Sequence, residues 1–188
     1  ALTDKSHVIE DNAQRAALYV RIGTLKAGPL SDPDGAAAAF REALDLAPKD
    51  PIAGAALADI EEKRGDYTAL EEALLRQLSA VRGLDCIPVL ARLARNAADR
   101  LNDPDRALVY LHQVLDADGE NREAFAEIER ILASLERWHE LIEVLERRAE
   151  IETRSGQAEA ELACRVSVAS IWADKLGATD SALEALQA

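Results

Sequence analysis

The sequence predicts an all-α fold, an α-solenoid of about five antiparallel helix pairs, and three observations carry that prediction. Alanine and leucine dominate a hydrophobic fraction of 48%, while aromatic residues reach only 4%, a composition that suits close helix packing better than strands. Apolar residues recur at helical spacing and are interrupted by turn formers: Gly28-Pro29, Pro48, Gly65-Asp66, Gly83, Asp103-Pro104, Asp118-Gly119, Gly156 and Gly177. The chain also repeats itself.

Asp32-Pro33-Asp34 followed by Ala36 returns as Asp103-Pro104-Asp105 followed by Ala107, an offset of 71 residues. The same offset carries Leu30 onto Leu101, Leu44-Asp45 onto Leu115-Asp116, Tyr67 onto Trp138, Leu70 onto Leu141 and Leu74 onto Leu145. The residue opening each second helix recurs at Ala36, Leu70, Ala107 and Leu141, in the 34, 37 and 34 steps of helix-pair repeats. A fifth pair follows, because Asp99-Arg100-Leu101 and Ala107-Leu108 return as Asp174-Lys175-Leu176 and Ala182-Leu183. The shift there is 75, through about four extra residues near Glu152 to Ala160. The expected units lie at about 12–48, 49–82, 83–119, 120–153 and 154–188, in one array.

In chain order, a first helix near 12–27 ends at Gly28-Pro29. In the second, Ala36, Ala39, Phe40, Ala43 and Leu44 form one stripe while Arg41, Glu42 and Asp45 point away. Asp32 or Asp34 can cap this helix, Pro33 suits its first turn, and Pro48 with Pro51 ends it. The same reading places helices near 52–64, 67–81, 87–101, 105–117, 121–135, 138–152, 158–176 and 180–188. One pair cannot bury its apolar stripe alone, so successive pairs must stack.

Tyr19-x2-Ile22-Gly23, Ala36-x3-Phe40, Ala43 and Pro48 resemble the spaced signature of the tetratricopeptide family. Gly65-Asp66-Tyr67 is similar to that family's inter-helix turn, with Leu70 and Leu74 where Ala and an aromatic are usual. Trp138-x2-Leu141-x3-Leu145 keeps the spacing with a bulkier opening residue. The resemblance spans roughly residues 12 to 188 and implies a concave groove lined by the first helix of each pair. Matched to the family's concave positions, the lining residues are Val20, Thr24, Ala27, Ala55, Asp59, Glu62, Arg95, Asp99, Arg130 and Ser134. Family members with a carboxylate clamp grip a chain terminus with Lys, Asn and Arg. Only Arg95 and Arg130 offer that chemistry here, so the resemblance implies an apolar or basic ligand instead.

Charge and motif content bear on what else the chain can do. With 22 Lys and Arg against 35 Asp and Glu the formal charge is −13, which repels a phosphate backbone and attracts a basic partner. No stretch approaches the roughly 20 apolar residues that span a bilayer, and Ala1 to Glu10 lack the layout of a secretory signal. A soluble, cytoplasmic chain is expected, and the absence of Met suggests a piece of a longer one. Cys86 and Cys164 sit in apolar helical patterns that suit buried thiols, with a disulfide left open. His7, His112 and His139 lack metal-ligand spacing, and His139 suits a surface or capping place. No nucleophile elbow, zinc-helix or phosphate-loop motif occurs, and consecutive acids such as Glu61-Glu62 and Glu71-Glu72 diverge around a helix. The mixed run from Glu143 to Glu152 reads as a solvated face, and Trp138 and Trp172 as core fillers. Leu176, Leu183 and Leu186 need an apolar cover, which points to end-to-end self-association.

The expected function is a scaffold without catalysis, cofactor or metal, holding a protein or peptide on its concave face. The alternative is a spacer or oligomerisation element that makes contacts through its ends.

Overall fold

A computed structural model describes the backbone of residues 2–187 and the side chains of residues 12–187. Among the described residues there are ten α-helices and no strand. They are α1 (Leu2–Ala27), α2 (Pro33–Leu46), α3 (Pro51–Arg64), α4 (Tyr67–Ala80), α5 (Ile87–Asp99), α6 (Pro104–Ala117), α7 (Arg122–Ser134), α8 (Trp138–Arg154), α9 (Ala158–Ser170) and α10 (Thr179–Gln187). A 3₁₀ turn, Gly83–Cys86, leads into α5.

Two elements differ from the sequence expectation. α1 begins at Leu2 rather than near residue 12, since no proline or glycine interrupts the preceding residues. The helix expected over 158–176 changes winding at Ile171–Lys175, a π-helical turn in which the Leu176 N–H reaches back five residues to the Ile171 carbonyl at 3.1 Å.

The helix starts follow from side-chain caps. Asp32 Oδ1 accepts from the Gly35 N–H at 2.9 Å, and Asp103 Oδ1, 71 residues on, accepts from the Arg106 N–H at 3.0 Å. Asp50 and Asn121, again 71 apart, cap α3 and α7 through the Ala53 and Ala124 N–H groups at 2.8 and 3.0 Å. The Gly35 bond, reinforced by Lys26, holds the Asp32 carboxyl below the usual carboxylate range.

The repeat is also written in the backbone. Within every pair the turn holds one residue at positive φ: Ser31, Gly65, Asn102, Glu136 and Gly177, separated by 34, 37, 34 and 41 residues. Beyond Gly65 and Glu136 the next N–H bonds five residues back (Asp66 to Glu61, Arg137 to Leu132), whereas beyond Ser31, Asn102 and Gly177 it reaches six back. Two turn geometries alternate. They follow the 71-residue period of the sequence.

Packing divides the chain into two compact units, residues 1–110 and 111–188. In the first, α1 to α4 pack in succession and α4 packs on α5, around Phe40, Leu44, Leu57, Leu74, Leu90 and Leu93. Gly23 lies against the Phe40 ring, where a Cβ would come within 2.7 Å of it, so the close approach of α1 to α2 requires glycine there. In the second, α7, α8, α9 and α10 pack in succession around Phe125, Ile128, Leu132, Leu141, Leu145 and Val168.

Several single-residue expectations change. Glu152 is 1% exposed and meets Arg122 at 2.8 Å, while Arg148 reaches across to Glu129 on α7 at 2.9 Å, so the end of the mixed run is an interhelical network rather than a solvated face. The twins Trp138 and Trp172 are half-buried: Lys175 stands over the Trp138 ring at 5.2 Å, and exposed His139 meets the Trp172 ring edge-on at 5.6 Å. Cys164 is buried, which pushes its thiol pKa up, but Cys86 is only half-buried and donates to the Gly83 carbonyl; both are free thiols. Leu183 and Leu186 are exposed whereas Leu176 is half-buried, and His7 lies outside the described side chains.

Candidate protein-interaction face

α3 and α5 open successive helix pairs, and each divides its side chains cleanly. On α3, Leu57, Ala58, Ile60 and Glu61 are buried, which leaves Asp59 and Glu62 outward. On α5, Leu90, Leu93, Ala94 and Ala97 are buried, which turns Arg95 and Asp99 to solvent and leaves Arg92 partly exposed. Glu61 is fully buried and held by Arg41 at 2.6 Å, so Glu61 and Glu62 serve opposite sides of one helix.

One nitrogen of Arg92 joins the two helices, lying 3.0 Å from Asp59 Oδ1 and 2.7 Å from Glu62 Oε2. All three side chains keep substantial exposure, so solvent screens this bridge and its role is to orient groups more than to stabilise the fold. Beside it lies a cleft of about 120 Å³ lined by Glu62, Arg92, Arg95, Asn96, Asp99 and Arg100, among others. Asn96 is 4% exposed and its Nδ2 donates to the Tyr67 carbonyl at 2.8 Å, while its buried Oδ1 has no hydrogen-bond partner among the described residues. Arg100 lies over the Tyr67 ring at 5.1 Å, and Arg95 has no ion-pair partner among the described residues. The cleft therefore presents guanidinium donors beside a rim of partly neutralised acids.

The structure brings together four of the ten residues assigned to a concave face: Asp59, Glu62, Arg95 and Asp99. Val20 and Ala55 are half-buried on α1 and α3, and Ala27 is exposed at the end of α1. Thr24 Oγ1 donates to the Val20 carbonyl and Ser134 Oγ to the Ile131 carbonyl, each within its own helix. Arg130 meets Glu127 on the same turn of α7 at 2.8 Å.

Arg92, Asn96 and Arg100 were not selected from sequence. A signal for Arg92 was present, since it follows Asp59 and Glu62 by 33 and 30 residues, somewhat under one repeat step. Similar spacings, 31 and 35 residues, join Asp45 to Arg76 and Glu71 to Arg106. Asn96 left none, because an asparagine on the buried side of a helix cannot be told from a satisfied core amide without coordinates.

Among the described residues no group of acidic, His or Cys side chains could hold a metal ion, and no helix is long and apolar enough to cross a membrane. No protein-family model and no curated protein matches the sequence. Solved structures do. The chain is similar to YrrB, described as a TPR protein with an unusual peptide-binding site, at 20% identity and a TM-score of 0.55 over 97% of this chain and 88% of that one. It is similar to MamA at 16% identity and a TM-score of 0.55, over 93% of this chain and 89% of that one. A MamA fragment from Desulfovibrio magneticus RS-1 aligns at 15% identity and a TM-score of 0.51, over 92% of each chain. The chain has the tetratricopeptide fold, an all-α solenoid of antiparallel helix pairs.

Proposed function

We propose that this chain is a non-catalytic interaction scaffold that holds a peptide or protein segment along the first-helix face, centred on the α3–α5 cleft. The observation that carries this reading is the cleft itself, where the guanidinium groups of Arg95 and Arg100 stand beside the Arg92 bridge to Asp59 and Glu62. A peptide supplies their complement, carbonyl or carboxylate oxygens for the guanidinium groups. The fold's resemblance to YrrB supports it, since that structure is named for a peptide-binding site. Because Arg92 shares its charge between Asp59 and Glu62, the face is less attractive to a basic partner than its acid count suggests.

Selection of a displayed random-peptide library on the chain tests this reading. Enriched peptides are expected to lose at least tenfold in affinity against Arg95→Glu and Arg100→Glu, with helicity unchanged. Equal binding to both variants would refute the cleft.

A second reading, an oligomerisation element, is favoured by exposed leucines on outer helices: Leu18 and Leu25 on α1, Leu183 and Leu186 on α10. Sedimentation over a concentration series decides it, and a constant monomer mass would dismiss it.

A further inference from the structure

We propose that a second copy of this chain docks the outer face of its α1 into a groove formed by α8, α9 and α10. The proposal rests on the oligomerisation reading and specifies its two surfaces.

The groove arises from a local departure from the repeat. α8 has 17 residues where α4 and α6 have 14, and its last turn extends along a cleft of about 550 Å³. Ala149 and Val168 are buried in its floor and Ala185 is half-buried, so small side chains leave the space open. The volume lies within the range of clefts that hold ligand or partner side chains. It is lined by the second helices of two successive pairs with α9 between them.

Charge selects the occupant. Glu146 and Glu150 stand on consecutive turns of α8 at the rim, both exposed, and neither carboxylate has a hydrogen-bond or ion-pair partner among the described residues. Of the two basic residues in the lining, Arg165 is neutralised by Glu161 at 2.9 Å. Arg154 lies eight residues beyond Glu146, about 12 Å along the helix, with its Nε donating to the Glu150 carbonyl. The Glu146–Glu150 end therefore calls for a basic group beside an aliphatic one.

α1 carries that pattern on its exposed side. Leu18 and Leu25 are 56% and 55% exposed, and Arg21 stands between them at helical spacing with no ion-pair partner among the described residues. Leu18 and Leu25 span about 10 Å of helix and lie along the apolar floor in the docked pair, with Arg21 facing the two glutamates. The contact joins unlike surfaces, so each copy keeps one of each kind free, and association proceeds head to tail into a ring or an open chain.

Sedimentation equilibrium on the intact chain tests this through charge reversal. Arg21→Glu and the double variant Glu146→Arg/Glu150→Arg are each expected to weaken self-association at least tenfold. Combining all three substitutions in one chain, or mixing the two variants, restores it to within about threefold. Every substituted side chain is exposed, and circular dichroism verifies that helicity is kept. If the parent associates and both reversals associate equally well, the docking surfaces are wrong while the oligomerisation reading stands. If the parent stays monomeric throughout, both fall.

Discussion

The Tyr110 hydroxyl donates to Oε1 of Glu71 at 3.0 Å, and the other carboxylate oxygen accepts from Arg106 at 2.7 Å. The partners lie on α4 and α6, 35 and 39 residues apart, so one carboxylate ties a second helix to the second helix of the next pair. Burial, then the bond to Glu71, pushes the Tyr110 pKa up to about 12. The folded-state value exceeds the ordinary phenol value, so the stability this group contributes is complete below about pH 10 and is lost as pH rises toward 12. Ultraviolet titration is expected to show Tyr110 ionising late, and Tyr110→Phe should flatten the alkaline fall while costing about 1 kcal/mol at neutral pH.

Glu152 and Asp45 make opposite predictions from similar chemistry. Glu152 is 1% exposed and joins Arg122 at 2.8 Å, while Arg148 keeps Glu129 as its closer partner, so removing Glu152 loses a buried side chain and one close ion pair. Glu152→Ala should cost about 1–3 kcal/mol in urea unfolding. Asp45 and Arg76 lie in solvent at 3.2 Å, and Arg76→Ala should cost under about 1 kcal/mol. Equal losses would mean that burial does not distinguish these pairs.

Gly23 touches the Phe40 ring so closely that Gly23→Ala forces one helix away from the other, at about 1–3 kcal/mol by thermal unfolding. Phe40→Leu in the same chain should relieve part of that loss. Simple additivity of the two would indicate that the contact is not the cause.

Leu145 is 5% exposed in the core of the second unit, and Leu145→Ala should cost about 2–5 kcal/mol. A melting temperature equal to the parent's would contradict its burial.

The helix pairs and their period were legible in the sequence because they depend on local chemistry. Asp32 and Asp103 cap the next turn, Gly65 and Gly177 adopt the left-handed backbone, and apolar stripes recur every three or four residues. Ser31 and Glu136 show where that legibility thins: they take the same backbone conformation without glycine or asparagine, so only the repeat register marks them.

The partners of charged side chains were decided by tertiary structure. Glu61, Glu62 and Glu152 read alike in sequence, yet the first and last are buried against arginines while the middle one shares Arg92 with Asp59. Helical spacing states which residues share a face, whereas the packing of neighbouring helices states what that face meets. Burial and ion pairing depend on the second, which is why the fold could be read from the residues and the α3–α5 cleft and the α8–α10 groove could not.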